Sequence, residues 1–335
     1  MPELRRDPIT GRWVIVNKEA PFTPKDFEVV HDEFKGEENC PFCYGHEHMT
    51  PPEIEAIRPE GGAPNSPGWK VRVVPNKFPA LKIEGELDKR GEGVYDKSRG
   101  IGAHEVIIDS PHHYKGLSEL EEEEIQFVID TYLSRSLDLR KDRRFRYILI
   151  FKNFGSIAGS SLEHGHSQLI ALPMVPKNVR EELKGAARYI GYHERCIFCD
   201  IISQERGNGE RIIFQNRYFI AFCPLFGRFP FEVWIIPVNH NCDFGFMPQE
   251  EKPYLASILK QTMGRIKEVL DNPPYNYIIH TCPVNIIEMP GGYHWHIEIM
   301  PKLNRVAGFE WGSGFYVVQT PPEEAAKYLR KELSV

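Results

Sequence analysis

Short runs of β-branched and aromatic residues alternate along the chain with two longer segments whose apolar residues recur every three or four positions. The longer segments, 118–138 and 250–271, each have one apolar face and predict helices. Ser118 and Glu121 have the spacing of a capping box at the start of the first helix. The short runs predict strands: VIIDS (106–110), YILIF (147–151), SQLIAL (167–172), VWIIPV (233–238), YNYII (275–279) and HIEIM (296–300).

The order of these segments repeats itself. Each half contains a C-x-x-C pair, a strand that ends near a histidine, a long helix, a further strand and an H-x-H motif. Glu105 to His113 aligns without a gap on Glu232 to His240, so that His113 and not its neighbour His112 matches His240. His164 and His166 align on His294 and His296. A repeat of this length indicates duplication of a whole domain. We therefore predict an α+β fold made of two tandem repeats, 1–173 and 174–335, each an antiparallel sheet with one long helix.

Charge and composition exclude several classes of protein. The chain carries 41 basic and 47 acidic residues, a net charge of −6, which disfavours non-specific binding of nucleic acid. Its longest apolar runs fall short of the roughly 18 residues that cross a bilayer, and its N-terminal segment lacks the apolar core of a signal peptide. We expect a cytoplasmic protein that binds neither nucleic acid nor membranes.

Four of the seven cysteines lie in two C-x-x-C pairs, CPFC and CIFC. An odd cysteine count without a signal peptide does not indicate a disulfide framework, which leaves a metal site or a redox dithiol for each pair. Zinc prefers four tetrahedral ligands drawn from cysteine and histidine, and each half supplies histidines at matched positions. The predicted zinc sets are Cys40, Cys43, His113 and His164 in the first half, and Cys196, Cys199, His240 and His294 in the second half.

The segment HGHSQ separates two histidines by one residue, so His164 and His166 project from the same face of a strand. One can bind zinc while the other faces a substrate; the alternative is that both bind the metal. The preceding loop, from Asn153 to Ser161, is rich in small residues and offers backbone N–H groups to a phosphate. A neutral imidazole with one free nitrogen is a competent nucleophile toward phosphorus, which makes His166 the candidate.

These motifs resemble those of the galactose-1-phosphate uridylyltransferase family, within the histidine-triad superfamily. The resemblance rests on RRDPITGRWVIV, CPFC, VVPNKFPAL, SPHH, FKNFG, AGSSLEHGHSQ, HWHIEIMP and AGFEWGSGFY, which span nearly the whole chain. It implies a homodimer with one zinc in the first repeat, His166 as the residue that becomes uridylylated, and Gln168 as its partner on the phosphate side. It also implies substrate contacts by Asn76, Asn153, Gly159, Ser160, Ser161 and Glu310.

The resemblance implies ping-pong transfer of UMP from UDP-glucose to a hexose 1-phosphate, galactose 1-phosphate, through a nucleotidyl group on His166. The second pair, CIFC, is similar to that of the ADP-glucose phosphorylase relatives, so adenylyl transfer from ADP-glucose is the alternative. A histidine-triad hydrolase and a non-catalytic nucleotide-binding protein are further classes; hydrolases carry a histidine where Gln168 stands, and a glutamine amide cannot act as an acid or base. Because Glu298 replaces this glutamine in the second repeat, we expect one active centre per chain.

Overall fold

The structure is a computed structural model that describes residues 1–32, 36–286 and 292–334. Its strands are β1 Glu3–Arg6, β2 Trp13–Val16, β3 Glu55–Ile57, β4 Val71–Pro75, β5 Arg90–Glu92, β6 Tyr95–Lys97, β7 Ala103–Ile108, β8 Tyr147–Phe154, β9 His166–Leu172, β10 Ile212–Gln215, β11 Phe219–Phe222, β12 Val233–Pro237, β13 Tyr275–His280, β14 His296–Pro301 and β15 Tyr316–Val318. Its helices are α1 Glu122–Leu139, α2 Lys177–His193, α3 Ile197–Asn208, α4 Lys252–Val269, α5 Gly308–Ser313 and α6 Pro322–Leu329.

Ten strands form one continuous antiparallel sheet in the order β10-β11-β12-β14-β13-β8-β9-β7-β4-β3. Each half contributes five strands, and the order in one half is the mirror of the order in the other. The halves meet where β8 pairs with β13, with Asn153 opposite Asn276. The α+β fold with antiparallel sheets is therefore confirmed, while the boundary at residue 173 stays a prediction.

One face of this sheet, which we call the helix face, is covered by α1 and α4. Alternate residues of the central strands, such as Ile107, Leu169 and Ile297, point to this face and join the main apolar core. The two helices also pack on each other, and Lys252 of α4 donates to Asp130 of α1 at 2.7 Å. The helices predicted over 118–138 and 250–271 are thus present as α1 and α4, and both lie behind the site.

The capping box predicted from Ser118 and Glu121 is wrong. Helix α1 begins at Glu122, and the side chain of Glu124 accepts a hydrogen bond from the Glu121 backbone N–H at 2.8 Å. The hydroxyl of Ser118 instead donates to Glu119. Residues 121–124 are four consecutive glutamates, so the sequence allows more than one first residue for the helix. Ser118 belongs to the turn that precedes the helix.

The opposite face, which we call the site face, differs between the halves. In the first half it carries a small apolar cluster that includes Phe42, Trp69, Val106 and Ile108, without a covering α-helix in the described residues. In the second half α2 and α3 pack over it, against residues that include Ile220, Phe222, Trp234 and Ile236. Within the described part of the chain, this face of the sheet is therefore covered by α-helices only in the second half.

A separate three-stranded sheet joins the two ends of the chain. Strand β2 pairs antiparallel with β1 and parallel with β15, and α5 precedes β15. Arg5 of β1 donates to Glu323 of α6 at 3.0 Å, which strengthens this contact. None of the helices in the described part of the chain is long and apolar enough to cross a membrane.

Candidate active site

The first predicted zinc set comes together in the first half. Cys40, Cys43, His113 and His164 are all buried, and their ligand atoms lie within 4.8 Å of one another. The Nδ1 atom of His164 is 3.5 Å from the sulfurs of both Cys40 and Cys43, and the Nδ1 atom of His113 is 3.2 Å from the sulfur of Cys43. His112, the neighbour that sequence comparison set aside, is exposed and faces Glu124.

This geometry fits zinc. With zinc–sulfur distances of about 2.3 Å and zinc–nitrogen distances of about 2.0–2.1 Å, tetrahedral coordination places sulfur and nitrogen about 3.5 Å apart. The second ring nitrogen of His164 donates to the Ser110 carbonyl at 2.8 Å, which is the usual way to fix a histidine ligand. Burial lowers the pKa of His164 to about 4 and keeps the imidazole neutral, as a metal ligand requires.

The second predicted set comes together in the same way. The ligand atoms of Cys196, Cys199, His240 and His294 also lie within 4.8 Å of one another. The sulfur of Cys199 is 3.5 Å from Nδ1 of His240 and 3.7 Å from Nδ1 of His294. This cluster is less enclosed, because His240 is exposed and Cys199 is only partly buried. Its donor set and spacing also fit a tetrahedral zinc.

His166 is not part of the first cluster, although it lies two residues after His164. Its Nδ1 atom donates to the His164 carbonyl at 2.8 Å, so Nε2 carries the lone pair. The ring lies on the site face and is in edge contact with Phe42, with ring centres 5.3 Å apart. Burial and the nearby Lys152 ammonium lower the pKa of His166, which favours the neutral, nucleophilic form.

A buried ion pair supports the strand at His166. The ammonium of Lys152 donates to Asp109 at 2.5 Å and to the His166 carbonyl at 3.1 Å. Ser167 donates to the same aspartate at 2.9 Å and contacts the hydroxyl of Tyr132 at 2.6 Å. Sequence reasoning did not identify these residues, although Lys152 lies within FKNFG and Asp109 directly precedes SPHH.

The small-residue loop wraps back on itself beside this strand. Gly155 and Gly159 have positive φ angles of 82° and 94°, which glycine adopts without strain. A Cβ on Gly155 would lie 2.8 Å from Pro274, so a side chain at this position would also collide with the second half. The Ser160 hydroxyl donates to the Leu162 carbonyl at 2.7 Å, whereas Ser161 is exposed. Ser160 therefore shapes the loop, and its proton is already engaged.

Asn153 is held from the second half of the chain. The side-chain amide of Asn276 donates to the Asn153 side-chain oxygen at 2.9 Å and to the Ala158 carbonyl at 2.8 Å. The side-chain NH₂ group of Asn153 therefore points away from Asn276 and is available to another acceptor. Asn276 was missed by sequence reasoning, because only the pairing of β8 with β13 brings these two residues together.

Gln168 and Asn76 meet at a histidine that sequence reasoning also missed. The side-chain oxygen of Gln168 lies 2.8 Å from Nε2 of His104, and the side-chain nitrogen of Asn76 lies 3.1 Å from the same atom. All three residues are partly buried on the site face. Glu310, in contrast, lies in α5, where it accepts a hydrogen bond from the Ala307 backbone N–H at 2.9 Å. Its predicted sugar contact stays a prediction.

The equivalent place in the second half holds an ion-pair network. Glu298 accepts a short hydrogen bond from Arg228 and lies 3.3 Å from His280, which also lies 3.1 Å from Glu182 of α2. Burial opposes a charge on His280, but the two carboxylates outweigh it and raise its pKa to about 10. Burial also opposes the charge of Glu298, but Arg228 and His280 keep its pKa low.

His296, the counterpart of His166, lies inside this network. Its Nδ1 atom is 3.1 Å from the His294 carbonyl, which repeats the geometry of His166. Its ring, however, is stacked between Trp234 and His280, with ring centres 4.5 and 4.8 Å away. Together with Glu182 and His280 it forms a third grouping of potential ligand atoms, which sequence reasoning did not identify.

Comparisons with known proteins identify the family of this chain. Residues 1–176 match the family model described as galactose-1-phosphate uridyl transferase, N-terminal domain. The chain belongs to the galactose-1-phosphate uridylyltransferase family. Residues 100–334 also match a family model described as a domain of unknown function. The resemblance predicted from the sequence motifs is thus confirmed.

Two of the relatives of this chain align over nearly its whole length. It is 35% identical to the ADP-glucose phosphorylase of Arabidopsis thaliana, over 98% of this chain and 93% of the relative. It is 28% identical to the galactose-1-phosphate uridylyltransferase of Thermotoga maritima, over 99% of this chain and 98% of the relative. These relationships make the chain an enzyme of the nucleotidyltransferase type.

Solved structures give the same result. A crystal structure of the Arabidopsis thaliana ADP-glucose phosphorylase with bound ADP-glucose aligns with a TM-score of 0.82 at 34% identity and covers all of both chains. A structure described as uridylyltransferase aligns with a TM-score of 0.75 at 30% identity, over 99% of this chain and 98% of the other. The antiparallel framework is therefore that of this family.

Proposed function

We propose that this protein transfers a nucleoside monophosphate from a nucleotide sugar to a phosphorylated acceptor through a covalent intermediate on His166. The observation that carries the proposal is the division of labour between two neighbouring histidines. His164 points Nδ1 at the cysteine sulfurs, whereas His166 uses Nδ1 to donate to the His164 carbonyl. The second histidine therefore keeps a free Nε2 lone pair, which a nucleophile needs.

The reaction proceeds in two displacements. In the first, Nε2 of His166 forms a bond to the α-phosphorus while the bond to the sugar phosphate oxygen breaks, and hexose 1-phosphate leaves with the electron pair. In the second, a phosphate oxygen of the acceptor attacks the same phosphorus and His166 is released. Gln168, Asn153 and the backbone of the Gly159–Ser161 loop donate to the phosphate oxygens, whose negative charge is distributed in the transition state. The Asn76 amide contacts the nucleotide.

Zinc would be held by Cys40, Cys43, His113 and His164, and by the second set of Cys196, Cys199, His240 and His294. When bound there with four protein ligands, zinc supplies structural cross-linking and has no open position for a substrate. The first set holds the turn before β9 and thereby fixes the position of His166. The second half carries no nucleophile of its own in this proposal, because His296 is enclosed between two rings.

Gln168 favours transfer over hydrolysis, and the free Nε2 atom of His166 favours transfer over nucleotide binding without catalysis. Gln168 stands where a hydrolase of this superfamily would carry a histidine, and its amide cannot protonate a leaving group or activate water. A protein that only binds nucleotides would not need the arrangement that leaves Nε2 of His166 free. The active form is proposed to be a homodimer in the cytoplasm. Size-exclusion chromatography with light scattering would test the dimer.

Two nucleotide sugars, UDP-glucose and ADP-glucose, are candidate donors of the nucleotidyl group. Transfer of a uridylyl group to galactose 1-phosphate is favoured by the similarity to the galactose-1-phosphate uridylyltransferase of Thermotoga maritima, and we propose UDP-glucose as the donor for this reaction. Phosphorolysis of ADP-glucose, with inorganic phosphate as the acceptor, is favoured by the 35% identity to the Arabidopsis thaliana enzyme and by the second Cys2His2 cluster. Both reactions pass through the same type of intermediate on His166.

The test is intact-mass spectrometry after incubation with UDP-glucose or ADP-glucose in the absence of acceptor. We expect a gain of one uridylyl or one adenylyl group per chain, located on His166 by peptide mapping. The nucleotide that gives the faster gain identifies the donor, and galactose 1-phosphate or phosphate should then remove the label. Turnover of either donor without labelled His166 in a rapid-quench experiment would contradict the proposal.

A further inference from the structure

His104 occupies a defined position between the backbone and Gln168. The backbone N–H of Ala80 donates to Nδ1 of His104 at 3.1 Å. On the other side of the ring, Nε2 lies 2.8 Å from the side-chain oxygen of Gln168. The imidazole therefore bridges the segment after β4 and the strand that carries the nucleophile.

These contacts fix the tautomer of His104. An N–H group donates to Nδ1, so Nδ1 has to present a lone pair, and in a neutral ring the proton is then on Nε2. An Nε2–H group can donate only to an oxygen at this position. It therefore donates to the Gln168 side-chain oxygen, and this hydrogen bond determines which way round the Gln168 amide lies.

The orientation of Gln168 has a direct consequence for the proposed chemistry. With its oxygen engaged by His104, the amide turns its NH₂ group away, and this group can donate to a phosphate oxygen. The Asn76 amide nitrogen lies 3.1 Å from Nε2 of His104 and cannot donate to a protonated nitrogen, so it too keeps its N–H groups for another acceptor. The reverse orientation of Gln168 would direct a carbonyl oxygen at the negatively charged phosphate.

The sheet holds His104 rigidly enough for this role. Gln168 pairs with Val106 in the register of β7 and β9, and His104 lies two residues before Val106 on the same face of β7. The intervening residue, Glu105, points to the helix face and accepts two hydrogen bonds from Arg135 of α1, both at 2.8 Å. The strand is thus anchored to α1 directly behind His104.

We infer that His104 is a positioning residue that orients the Gln168 amide so that its N–H groups face the transferred phosphate. This inference rests on the proposed function. Since a hydrogen bond to a charged group contributes about 10- to 100-fold to a rate, we expect His104→Ala to slow nucleotidylation of His166 by about that factor. We expect the loss mainly in kcat, because the interaction strengthens as charge develops in the transition state.

The experiment measures single-turnover nucleotidylation of His166 in a double-mutant cycle. Wild type, His104→Ala, Gln168→Ala and the double variant are compared, with His193→Ala as the matched control because His193 is an exposed histidine at the end of α2. We expect His104→Ala to have almost no further effect once Gln168 is removed. His104→Gln, whose side-chain NH₂ can take the place of the ring N–H, should restore most of the rate.

The outcomes separate the two claims. If wild type forms no adduct with either nucleotide sugar, the proposed function fails before His104 is tested. If wild type forms the adduct but His104→Ala matches it, or slows the reaction equally with and without Gln168, the orienting role is overturned. Thermal unfolding and zinc content are measured for every variant, so that a loss of folded protein is not taken for a loss of rate.

Discussion

The two halves of this protein share a framework but differ on one face of the sheet. Both have a Cys2His2 cluster, and in both the second histidine of the H-x-H motif points Nδ1 at the carbonyl of the first. In the first half the site face carries Gln168 and a loop of small residues. In the second half the same face is packed under α2 and α3. Under the proposed function, the Cys2His2 cluster and the histidine geometry therefore also occur in a half without an active centre.

The charges at the two positions give a physical reason for the single active centre that we propose. Around Gln168 the nearby side chains are neutral amides and an imidazole, which bind phosphate oxygens without repulsion. Around Glu298 the carboxylates of Glu298 and Glu182 are paired with Arg228 and His280. A phosphate placed there would have to displace a carboxylate from a buried ion pair, at a cost of several kcal/mol. The replacement of Gln168 by Glu298 at the matched position therefore accompanies a change from neutral hydrogen-bonding groups to a buried ion-pair network on the site face.

Removal of the two matched histidines in turn has the largest expected effect and tests the difference between the halves directly. His166→Gly should lower transfer more than about 10⁴-fold, because it removes the imidazole on which the proposed covalent intermediate forms. His296→Gly should leave the activity of the folded protein close to wild type and lower only stability. Zinc analysis should show unchanged metal in His166→Gly; loss of metal together with activity would mean that the roles of His164 and His166 are exchanged.

A second prediction transfers the charge of one half to the other. Gln168→Glu replaces an amide donor with a carboxylate next to the phosphate, and we expect transfer to fall about 10²–10³-fold. His104 can still donate to the new carboxylate, so stability should change little. Gln168→Leu is the control that removes the donor without adding charge. Rates from a nucleotidylation assay that are equal for the two variants would argue against repulsion as a cause.

A third prediction concerns the metal clusters. Cys196→Ser should release the metal of the second cluster and lower the melting temperature by roughly 5–10 °C, because a structural zinc contributes to folding. The turnover of the protein that remains folded should stay near wild type. Cys40→Ser in the first half should also lower turnover, since His164 then no longer holds the strand of His166. A large and specific loss of turnover in Cys196→Ser would contradict the structural role of the second half.

The duplicated motifs made much of this arrangement predictable from sequence. Each C-x-x-C pair and each H-x-H motif has a local spacing, and the repeat itself selected His113 over His112. The structure brings these side chains together. The long helices and the six strands were also predictable, because an apolar face or a β-branched run is a local signal.

The supporting residues were not predictable, because they come from distant elements and have no local pattern. Asn276 reaches Asn153 only through the register of β8 with β13. Glu182 reaches His280 because α2 packs across the site face of the second half, and nothing in the sequence of α2 indicates this direction. His104 precedes a predicted strand, but its partners Ala80 and Gln168 depend on sheet order.

The last prediction concerns Glu298 in the second half and has the smallest expected effect on transfer. Glu298→Gln removes the nearer of two carboxylates that pair with Arg228, the other being Glu232, and one of the two carboxylates beside His280. We expect the free energy of unfolding to fall by about 2–4 kcal/mol at neutral pH, with unchanged transfer. His280 has a pKa of about 10 in the folded protein against an ordinary 6.5. A raised pKa stabilises the fold fully below pH 6.5, and this contribution disappears as the pH rises toward 10. Urea unfolding should therefore show wild type losing stability between these pH values.

The variant should lose less stability over the same pH range, because its His280 has only Glu182 to raise its pKa. Intact-mass spectrometry should still find one nucleotidyl group per chain, since α2 continues to cover His296 when the charge is gone. A second nucleotidyl group on His296 would mean that the charge of Glu298 alone keeps the second half inactive. Equal pH slopes for the two proteins would mean that Glu298 does not hold the charge on His280. The first result would make the charge of Glu298, and not the cover by α2, the reason that the halves differ. The second result would contradict the stabilising role assigned to Glu298 in the ion-pair network.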